Sequence, residues 1–372
     1  MEKQRLDRVE KSLDPLLKKA LDNGVFSGVA VAVYRYRKGR EERFITSRGR
    51  TRGDISGENI NSDTFFDLAS LTKPLCTALS ILCLIKKKEI DWETKIFDIL
   101  PYASDPEYTN ITIDQLLTHS AGVIAYKPIY LSFPPFPNKE NREKIIPLFL
   151  KEKLAYQPGR ACLYSDVGFI LLGALIELVA DTTLDNFFKS NVARPLFVED
   201  AIQFRPHPGA EHEVKNITAT EFCPWRKKML QGEVHDEHAW LMNGVAGHAG
   251  LFGTITGVLS MTEHLLHQWK GRGNHPGFST QVLQKALTKK YADRSWCRGF
   301  DTPAAQGSSA GIYFSERSVG HLGYTGTSFW MDAEQDIIIV LLTNRVHPSR
   351  TNDQIRQFRP VLHNAVLEAL QE

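Results

Sequence analysis

Leu6, Val9, Leu13, Leu16, Leu17, Ala20 and Leu21 recur at the spacing of one helix face and stop at Asn23-Gly24. That pattern predicts an amphipathic cover helix with a glycine stop signal. Gly28 to Tyr34 is a short valine-rich run, and Arg43-Phe44-Ile45-Thr46 follows a charged turn around Lys38-Gly39-Arg40, which together read as a β-hairpin. From Leu71 to Ile85 the only charged residue is Lys73, and Lys86, Lys87 and Lys88 then cluster where the negative end of a helix dipole favours cations. This stretch predicts a buried helix. Pro74 falls in its first turn, where few intrahelical bonds are lost.

Helical patterns dominate from Ile90 to about Trp296: Ile113 to a stop at Gly122, Arg142 to Leu154, Val167 to Val179, Leu184 to Val192 and Val258 to Trp269. A proline-rich segment, Pro134 to Pro137, reads equally as a lid or a connection. Near the end, Gly311–Phe314, Ser318–Tyr324, Ser328–Met331 and Asp336–Thr343 predict four strands, and Asp353 to Leu370 a closing helix. Strands at both ends with helices between them require a sheet assembled from distant segments, an α+β arrangement. The expected division is an α/β part over 1–95, a helical domain over 96–299 and the rest of the sheet domain over 300–372.

Composition narrows the possibilities. With 45 basic and 43 acidic residues the net charge is only +2, and without a long basic stripe nucleic acid is not an expected partner. The five cysteines (Cys76, Cys83, Cys162, Cys223, Cys297) are odd in number and widely spaced, unlike a disulfide framework or a zinc site. The longest mostly apolar run, Leu75 to Ile85, is about 11 residues, too short to span a bilayer. The N-terminus shows no secretory signal, so the chain reads as cytoplasmic, or as periplasmic or secreted if a leader has been removed. Oligomeric state is not readable.

Ser70 and Lys73 stand one helical turn apart, on one face, at the mouth of the apolar helix. A helix N-terminus carries roughly half a positive charge and unpaired N–H groups, which stabilise an oxyanion forming beside the serine. Burial among apolar side chains is expected to lower the lysine pKa and let it take a proton near neutral pH. Two further stretches add to this pair. Tyr164 sits in Pro158-Gly159-Arg160-Ala161-Cys162-Leu163-Tyr164-Ser165-Asp166, just before a predicted helix, and His321-Leu322-Gly323-Tyr324 lies on a late strand.

Ser-x-x-Lys, Tyr164 and His-x-Gly in this order resemble the penicillin-recognising serine hydrolases: class C β-lactamases, serine D-Ala-D-Ala carboxypeptidases and β-lactamase-like esterases. Tyr164 follows Ser70 by 94 residues and His321 follows Tyr164 by 157, close to the class C layout. Leu116-Leu117-Thr118-His119, Gly232 to Glu237, Gly247 to Phe252 and Leu342 to Arg345 are similar to family phrases, and the likeness covers roughly residues 25 to 370.

The resemblance implies a β-lactamase/transpeptidase-like fold with Ser70 in the groove between a sheet domain and a helical domain. It implies attack by Ser70 on a carbonyl, Lys73 and Tyr164 moving the proton, and the N–H groups of Ser70 and Tyr324 as the oxyanion hole. Asp166, His321, Gly323, Gly250 and Leu251 are the substrate-binding candidates, with no metal or cofactor. The substrate is a small molecule or peptide: a carboxylic ester, a D-Ala-D-Ala peptide or a β-lactam. Two positions depart from the family pattern. Asp166 replaces the common Asn, so an ionised carboxylate offers no N–H to a ligand carbonyl. His321 replaces the common Lys, so a mostly neutral imidazole grips a carboxylate weakly. Both favour small esters over β-lactams, unless another basic residue such as Arg345 takes over carboxylate recognition.

Competing features are weaker. Gly307-Ser308-Ser309-Ala310-Gly311 matches a nucleophile elbow, but it lacks a preceding strand and a following helix and reads as a flexible turn. His235-Asp236-Glu237-His238 has no metal-site spacing and reads as a surface or cleft-wall segment. His248 lies in a glycine-rich turn that either walls an acyl pocket or lets the backbone pass close to the sheet. A sensor domain that is acylated at Ser70 without turnover is the alternative of another class.

Overall fold

A computed structural model describes residues 2–100, 106–204 and 216–371. Helix α1 (Glu2–Asp22) leads into the hairpin β1 (Gly28–Arg37) and β2 (Arg40–Gly49), and the short strand β3 (Phe66–Asp67) delivers the chain to Ser70. A 3₁₀ turn over Ala69–Leu71 and a π turn over Lys73–Ala78 run into α2 (Leu79–Lys86). Next come α3 (Ile113–Leu117), α4 (Asn141–Leu150), α5 (Asp166–Ala180) and α6 (Leu184–Phe188). Strands β4 (Ile202–Phe204), β5 (Ala219–Cys223) and β6 (Lys228–Gln231) precede α7 (Glu237–Leu241), β7 (Leu251–Gly253), α8 (Ile255–Trp269) and α9 (Thr280–Ala286). The chain closes with β8 (Val319–Leu322), β9 (Ser328–Asp332), β10 (Ile337–Thr343) and α10 (Ile355–Gln371).

The main sheet is antiparallel with strand order β2-β1-β10-β9-β8, so its two halves come from opposite ends of the chain. Strand β1 sits between β2 and β10, with Val31 opposite Leu341 and Tyr34 opposite Ile338. Val29, Val31 and Val33 pack with Ile339 and Leu341 under α1 and α10, through Leu13, Leu17, Leu362 and Val366. Ala30, Ala32 and Tyr34 face the other way, where α8 covers them and the Tyr34 hydroxyl meets His267 Nε2 at 2.6 Å. Burial on both faces is why β1 reads as an uninterrupted apolar run. Each fully buried aliphatic side chain there contributes about 1.5–3 kcal/mol.

The second apolar cluster runs from β1 and β10 through Leu79 and Leu82 on α2 to Leu171 and Leu172 on α5, and is continuous across residue 95. The helical stretch Ala69–Lys86 is longer than its apolar run suggests: by length and composition it is a candidate membrane span, yet 83% of it is buried inside the protein. It is packed as a core helix.

The predicted strand Gly311–Phe314 is not one. Its backbone is held by α10 rather than by a ladder: the Ile312 N–H donates to Asn364 Oδ1 at 2.9 Å, and Ile312 itself is exposed. The sheets β3-β7-β4 and β5-β6 escaped sequence reading, because strands of two to five residues carry too little alternation. Gly307–Gly311 is a turn, with the Ser309 carbonyl accepting from His363 Nδ1 at 2.8 Å. The proline-rich segment packs on α7, the Trp240 indole N–H reaching the Pro135 carbonyl at 3.2 Å, and it lines a cavity separate from the one at Ser70.

Candidate active site

Ser70 is held by its neighbours. Ala69, just before it, has φ 46°, a left-handed conformation that is strained for a residue with a Cβ. The buried Asp67 carboxylate stabilises that bend by accepting the Ala69 N–H at 2.8 Å and the His235 N–H at 2.7 Å. Thr72 Oγ1 donates to the Ala69 carbonyl at 2.6 Å, closing the turn from the other side.

Lys73 is completely buried, and its Nζ donates to Ser70 Oγ at 2.9 Å, Asp166 Oδ1 at 2.6 Å and the His248 carbonyl at 3.2 Å. These three acceptors use all three ammonium protons. The expectation of a lowered lysine pKa is corrected here. Burial pushes Lys73 down, but the charge of Asp166 and its hydrogen bond to Nζ oppose this, and the ammonium is held above its usual value. Asp166 therefore does more than replace an amide donor, because it is the counter-ion of the lysine.

Asp166 owes its place to helix α5. Ser165 caps that helix by accepting the Gly168 N–H at 3.0 Å, and Asp166, in the first turn, lies at the end of the helix that favours negative charge. Tyr164, immediately before the cap, lies against both Lys73 and Ser70, with Lys73 Nζ 4.9 Å from its ring centroid. Burial pushes the phenol up, against the pull of the Lys73 charge, so it is protonated at neutral pH. His119, Trp296 and His321 surround the ring at centroid distances of 4.7, 5.2 and 6.0 Å. Nothing in the sequence singled out Trp296, which lies in a loop without a motif.

The turn between β8 and β9 brings Tyr324 to Ser70. Thr325 Oγ1 donates to the Asp67 carbonyl at 2.7 Å and Thr327 Oγ1 to the Leu68 carbonyl at 3.2 Å, joining the turn to the segment that carries Ser70. Gly323 is required, since a Cβ there would lie 1.9 Å from Thr327 Oγ1. Among the described residues, neither the Ser70 nor the Tyr324 N–H donates to a loop or side-chain acceptor. His321 Nδ1 donates to the Leu322 carbonyl at 2.9 Å, so Nε2 carries a lone pair and has no protein partner. Burial drives this imidazole down to about 3, and it is neutral at physiological pH.

Two cavities, of about 330 and 360 Å³, share Ser70, Tyr164 and Tyr324. The first adds His321, Gly323, Trp296 and three arginines; the second adds Asp166, Tyr126, His248 and the segment His235–Glu237. The His235–Glu237 segment is thus a buried cleft wall. Asp236 pairs with His248 Nε2 at 2.8 Å, and Glu237 with Arg350 at 2.6 Å. Glu221, Cys223 and Glu237 bring potential metal-ligand atoms within 4.8 Å of one another, but Arg350 lies on both carboxylates and engages their oxygens.

Gly250 and Leu251 are not brought to the cavity surface. Leu251 is wholly buried in β7 opposite Phe204, and a Cβ on Gly250 would lie 2.3 Å from the Gly244 carbonyl; the wall itself is His248 and Ala249. Arg345 is already engaged: it donates to the carbonyls of Tyr324 (2.7 Å) and Asn352 (2.6 Å), and its guanidinium lies 4.4 Å from the Tyr324 ring centroid.

Comparison with known proteins places the fold. A protein from Escherichia coli K12 named "Putative D-alanyl-D-alanine carboxypeptidase" is 29% identical over 310 residues, 76% of this chain and 70% of the relative. A Salmonella typhi protein of the same name is 28% identical over 320 residues, 79% and 72% of the two chains. Among solved structures, EstCE1, "a hydrolase with promiscuous acyltransferase activity", superposes with a TM-score of 0.77 at 20% identity, covering 97% of this chain and 99% of its own. A penicillin binding protein from Bacillus halodurans gives a TM-score of 0.66 at 20% identity, covering 88% and 94%. The Beta-lactamase family model matches residues 13–360, and the chain belongs to that family, a serine hydrolase on a β-lactamase/transpeptidase-like α+β fold.

Proposed function

We propose that the protein hydrolyses small carboxylic esters through an acyl-Ser70 intermediate and acts only weakly on β-lactams. The observation that carries this reading is the chain of contacts from Ser70 Oγ through Lys73 Nζ to Asp166, 2.9 and 2.6 Å long. Because Lys73 is an ammonium in the resting enzyme, it accepts the Ser70 proton only by passing one of its own to Asp166. Ser70 Oγ attacks the acyl carbon as that transfer proceeds. The oxyanion then rests on the N–H groups of Ser70 and Tyr324, each such donor contributing about 2.7–4 kcal/mol.

On collapse, the proton returns from Asp166 to Lys73, Lys73 gives one to Tyr164, and Tyr164 gives its own to the leaving oxygen. Water repeats the sequence on the acyl-enzyme and releases the acid. Bonds and protons balance without a cofactor. The weak β-lactam activity follows from the same residues. Asp166 is committed to Lys73, and neutral His321 supplies no charge to a carboxylate, whereas an activated ester needs neither contact. The names of the carboxypeptidase relatives support a D-Ala-D-Ala peptidase as the second reading.

The test is hydrolysis of p-nitrophenyl acetate beside a cephalosporin and a D-Ala-D-Ala peptide, with Ser70→Ala and Ser309→Ala as variants. Ser70→Ala should abolish turnover and Ser309→Ala should leave it within about twofold of wild type, because Ser309 lines neither cavity at Ser70. Equal loss in both variants, or a cephalosporin kcat/KM above that of the ester, contradicts the reading. A single stoichiometric burst without turnover would make the protein a sensor.

A further inference from the structure

Two phrases beside Ser70, His235-Asp236-Glu237-His238 and Gly247-His248-Ala249-Gly250, neither give nor take a proton in the acyl-Ser70 reaction. They are joined by one hydrogen bond, between Asp236 Oδ1 and His248 Nε2 at 2.8 Å, and both residues wall the cavity of about 360 Å³. Burial pushes the Asp236 carboxyl up, but His248 opposes this most, and the group is held below the usual carboxylate range. An ionised carboxylate only accepts, so Nε2 carries the hydrogen and donates it. His248 is 1% exposed and its Nδ1 is buried without a partner, so among the described residues Asp236 supplies the one hydrogen bond that the imidazole makes.

Both partners of this bond are anchored. Asp236 Oδ1 also accepts the Ala239 N–H at 2.8 Å as the N-cap of α7, and the Asp236 carbonyl accepts the Trp240 N–H at 2.9 Å. Across the loop, the Gly247 carbonyl accepts from Thr77 Oγ1 at 2.6 Å. Held at the peptide before it and at its ring, His248 has little freedom to turn, and its carbonyl meets Lys73 Nζ at 3.2 Å. That carbonyl differs from the other two acceptors on the lysine. Ser70 and Asp166 exchange protons with Nζ during acyl transfer, whereas a peptide carbonyl does not. Once Nζ has passed a proton to Asp166, its lone pair has to face Ser70 to take the next one. A lone pair turned to the carbonyl would face the carbonyl's own lone pairs, so the carbonyl keeps an N–H and removes the unproductive orientation.

We propose that Asp236 and His248 are positioning residues for Lys73: the carboxylate holds the imidazole, the imidazole holds the His248 backbone, and the His248 carbonyl aligns Nζ between Ser70 and Asp166. This deepens the acyl-Ser70 reading and rests on it for the proton transfer, though not for the placement of the lysine. Two substitutions separate the hydrogen bond from the charge. Asp236→Asn removes the charge but keeps an oxygen at the same reach, able to accept from both Ala239 and His248. Asp236→Ser removes the same charge and keeps a cap for α7, but its hydroxyl is one bond shorter and ends short of His248. The titratable groups that interact with Lys73 are Asp166, Tyr164, His119 and His321; those that interact with Asp236 are His238, His248, Asp67 and Tyr126, with Glu237 beside it. They are the same in both variants and cancel from the comparison.

The test measures p-nitrophenyl acetate turnover in both variants. In Asp236→Ser kcat should fall by about tenfold to hundredfold with KM within about threefold of wild type, and in Asp236→Asn kcat should stay within about threefold. Lysine-selective nitrogen NMR of the resting protein, with the Lys73 signal assigned by its loss in Lys73→Arg, reads the lysine without turnover. A carbonyl that accepts from an ammonium stabilises the charged form, so Lys73 should titrate about one pH unit or more lower in Asp236→Ser than in Asp236→Asn. Wild-type kcat in Asp236→Ser overturns the proposal. So does an Asp236→Asn enzyme as slow as Asp236→Ser, which assigns the effect to charge. If the hydrolase reading fails and no form turns over ester, the lysine titration decides alone: a lower midpoint in Asp236→Ser supports the positioning role, and equal midpoints in the two variants overturn it.

Discussion

In the proposed reaction, Lys73 and Asp166 form the pair on which proton transfer turns. Their contact spans 93 residues of sequence at 2.6 Å, and it holds up the pKa of a lysine that burial alone would lower. Removing the carboxylate should therefore do two things. Asp166→Asn takes away the final proton acceptor, so kcat at pH 7 should fall by about 10²–10⁴-fold, the usual weight of acid–base catalysis. It also leaves burial unopposed, so the lysine pKa drops, the free amine grows in as pH rises, and part of the lost rate returns toward alkaline pH. A kcat near wild type at pH 7 would mean that Asp166 takes no proton. The motif order that resembles the penicillin-recognising serine hydrolases pointed to Ser70, Lys73 and Tyr164 in the sequence, whereas the Lys73–Asp166 contact was not legible, because nothing local to either residue records it. The same limit applied to Gly250 and Leu251: a glycine-rich phrase signals close backbone approach without telling which residue faces the cleft.

At the scale of elements, the site is where three segments are forced together. The π turn after Ser70 runs from Lys73 and holds Pro74 in its first turn, whose missing N–H and bulky ring open that turn, a widening that hydrophobic spacing does not encode. The loop carrying His248 passes so close to α5 that a Cβ on Gly247 would lie 2.0 Å from the Phe169 carbonyl and 2.9 Å from the Gly173 N. That approach also holds the Gly247 carbonyl on Thr77 Oγ1 at 2.6 Å and presents the His248 carbonyl to Lys73. Gly247→Ala should cost about 1–3 kcal/mol in urea unfolding, the range for overpacking, and should lower kcat by displacing the His248 carbonyl. Unchanged stability would show that the loop has room to move. Long helices such as α5 and α8 were legible because their faces repeat over fifteen residues; the strands that seat Ser70 and Leu251 have two and three.

At the scale of the molecule, the fold closes only when β1 and β2 meet β8 to β10, and it buries several histidines in doing so. His321 is driven down to about 3, His275 and His363 to about 4, and His119 well below its usual value, each mainly by burial. In the unfolded chain these groups take up protons below about pH 6.5. The folded state resists until the lowered values are reached, so their contribution is complete above about pH 6.5 and is lost as pH falls. The slope is up to about 1.4 kcal/mol per pH unit for each group. Asp301, raised to about 7, acts in the opposite sense, and so does Asp67, raised by burial; their contribution fades as pH rises. The histidines outnumber them, so the urea midpoint should fall between pH 7 and pH 4.5. A midpoint that stays level or rises would mean that the histidines are already charged in the folded protein.

The α+β plan, with a sheet built from both ends, was visible in the sequence because strand-like runs at both ends flank a long helical middle. The meeting of three arginines at one cavity was not visible, since it depends on α10 returning to the β8–β9 turn after the whole chain has been laid down.

The central claim, that acyl transfer runs through Ser70, is tested most directly by rapid quenching during p-nitrophenyl acetate turnover, followed by mass spectrometric mapping of the acylated peptide. The account predicts one acetyl group on Ser70, formed in the burst and sustained through steady hydrolysis, with none on Ser70→Ala protein. An adduct mapping to another residue such as Ser309, or steady hydrolysis by the Ser70→Ala variant at the wild-type rate, would contradict it.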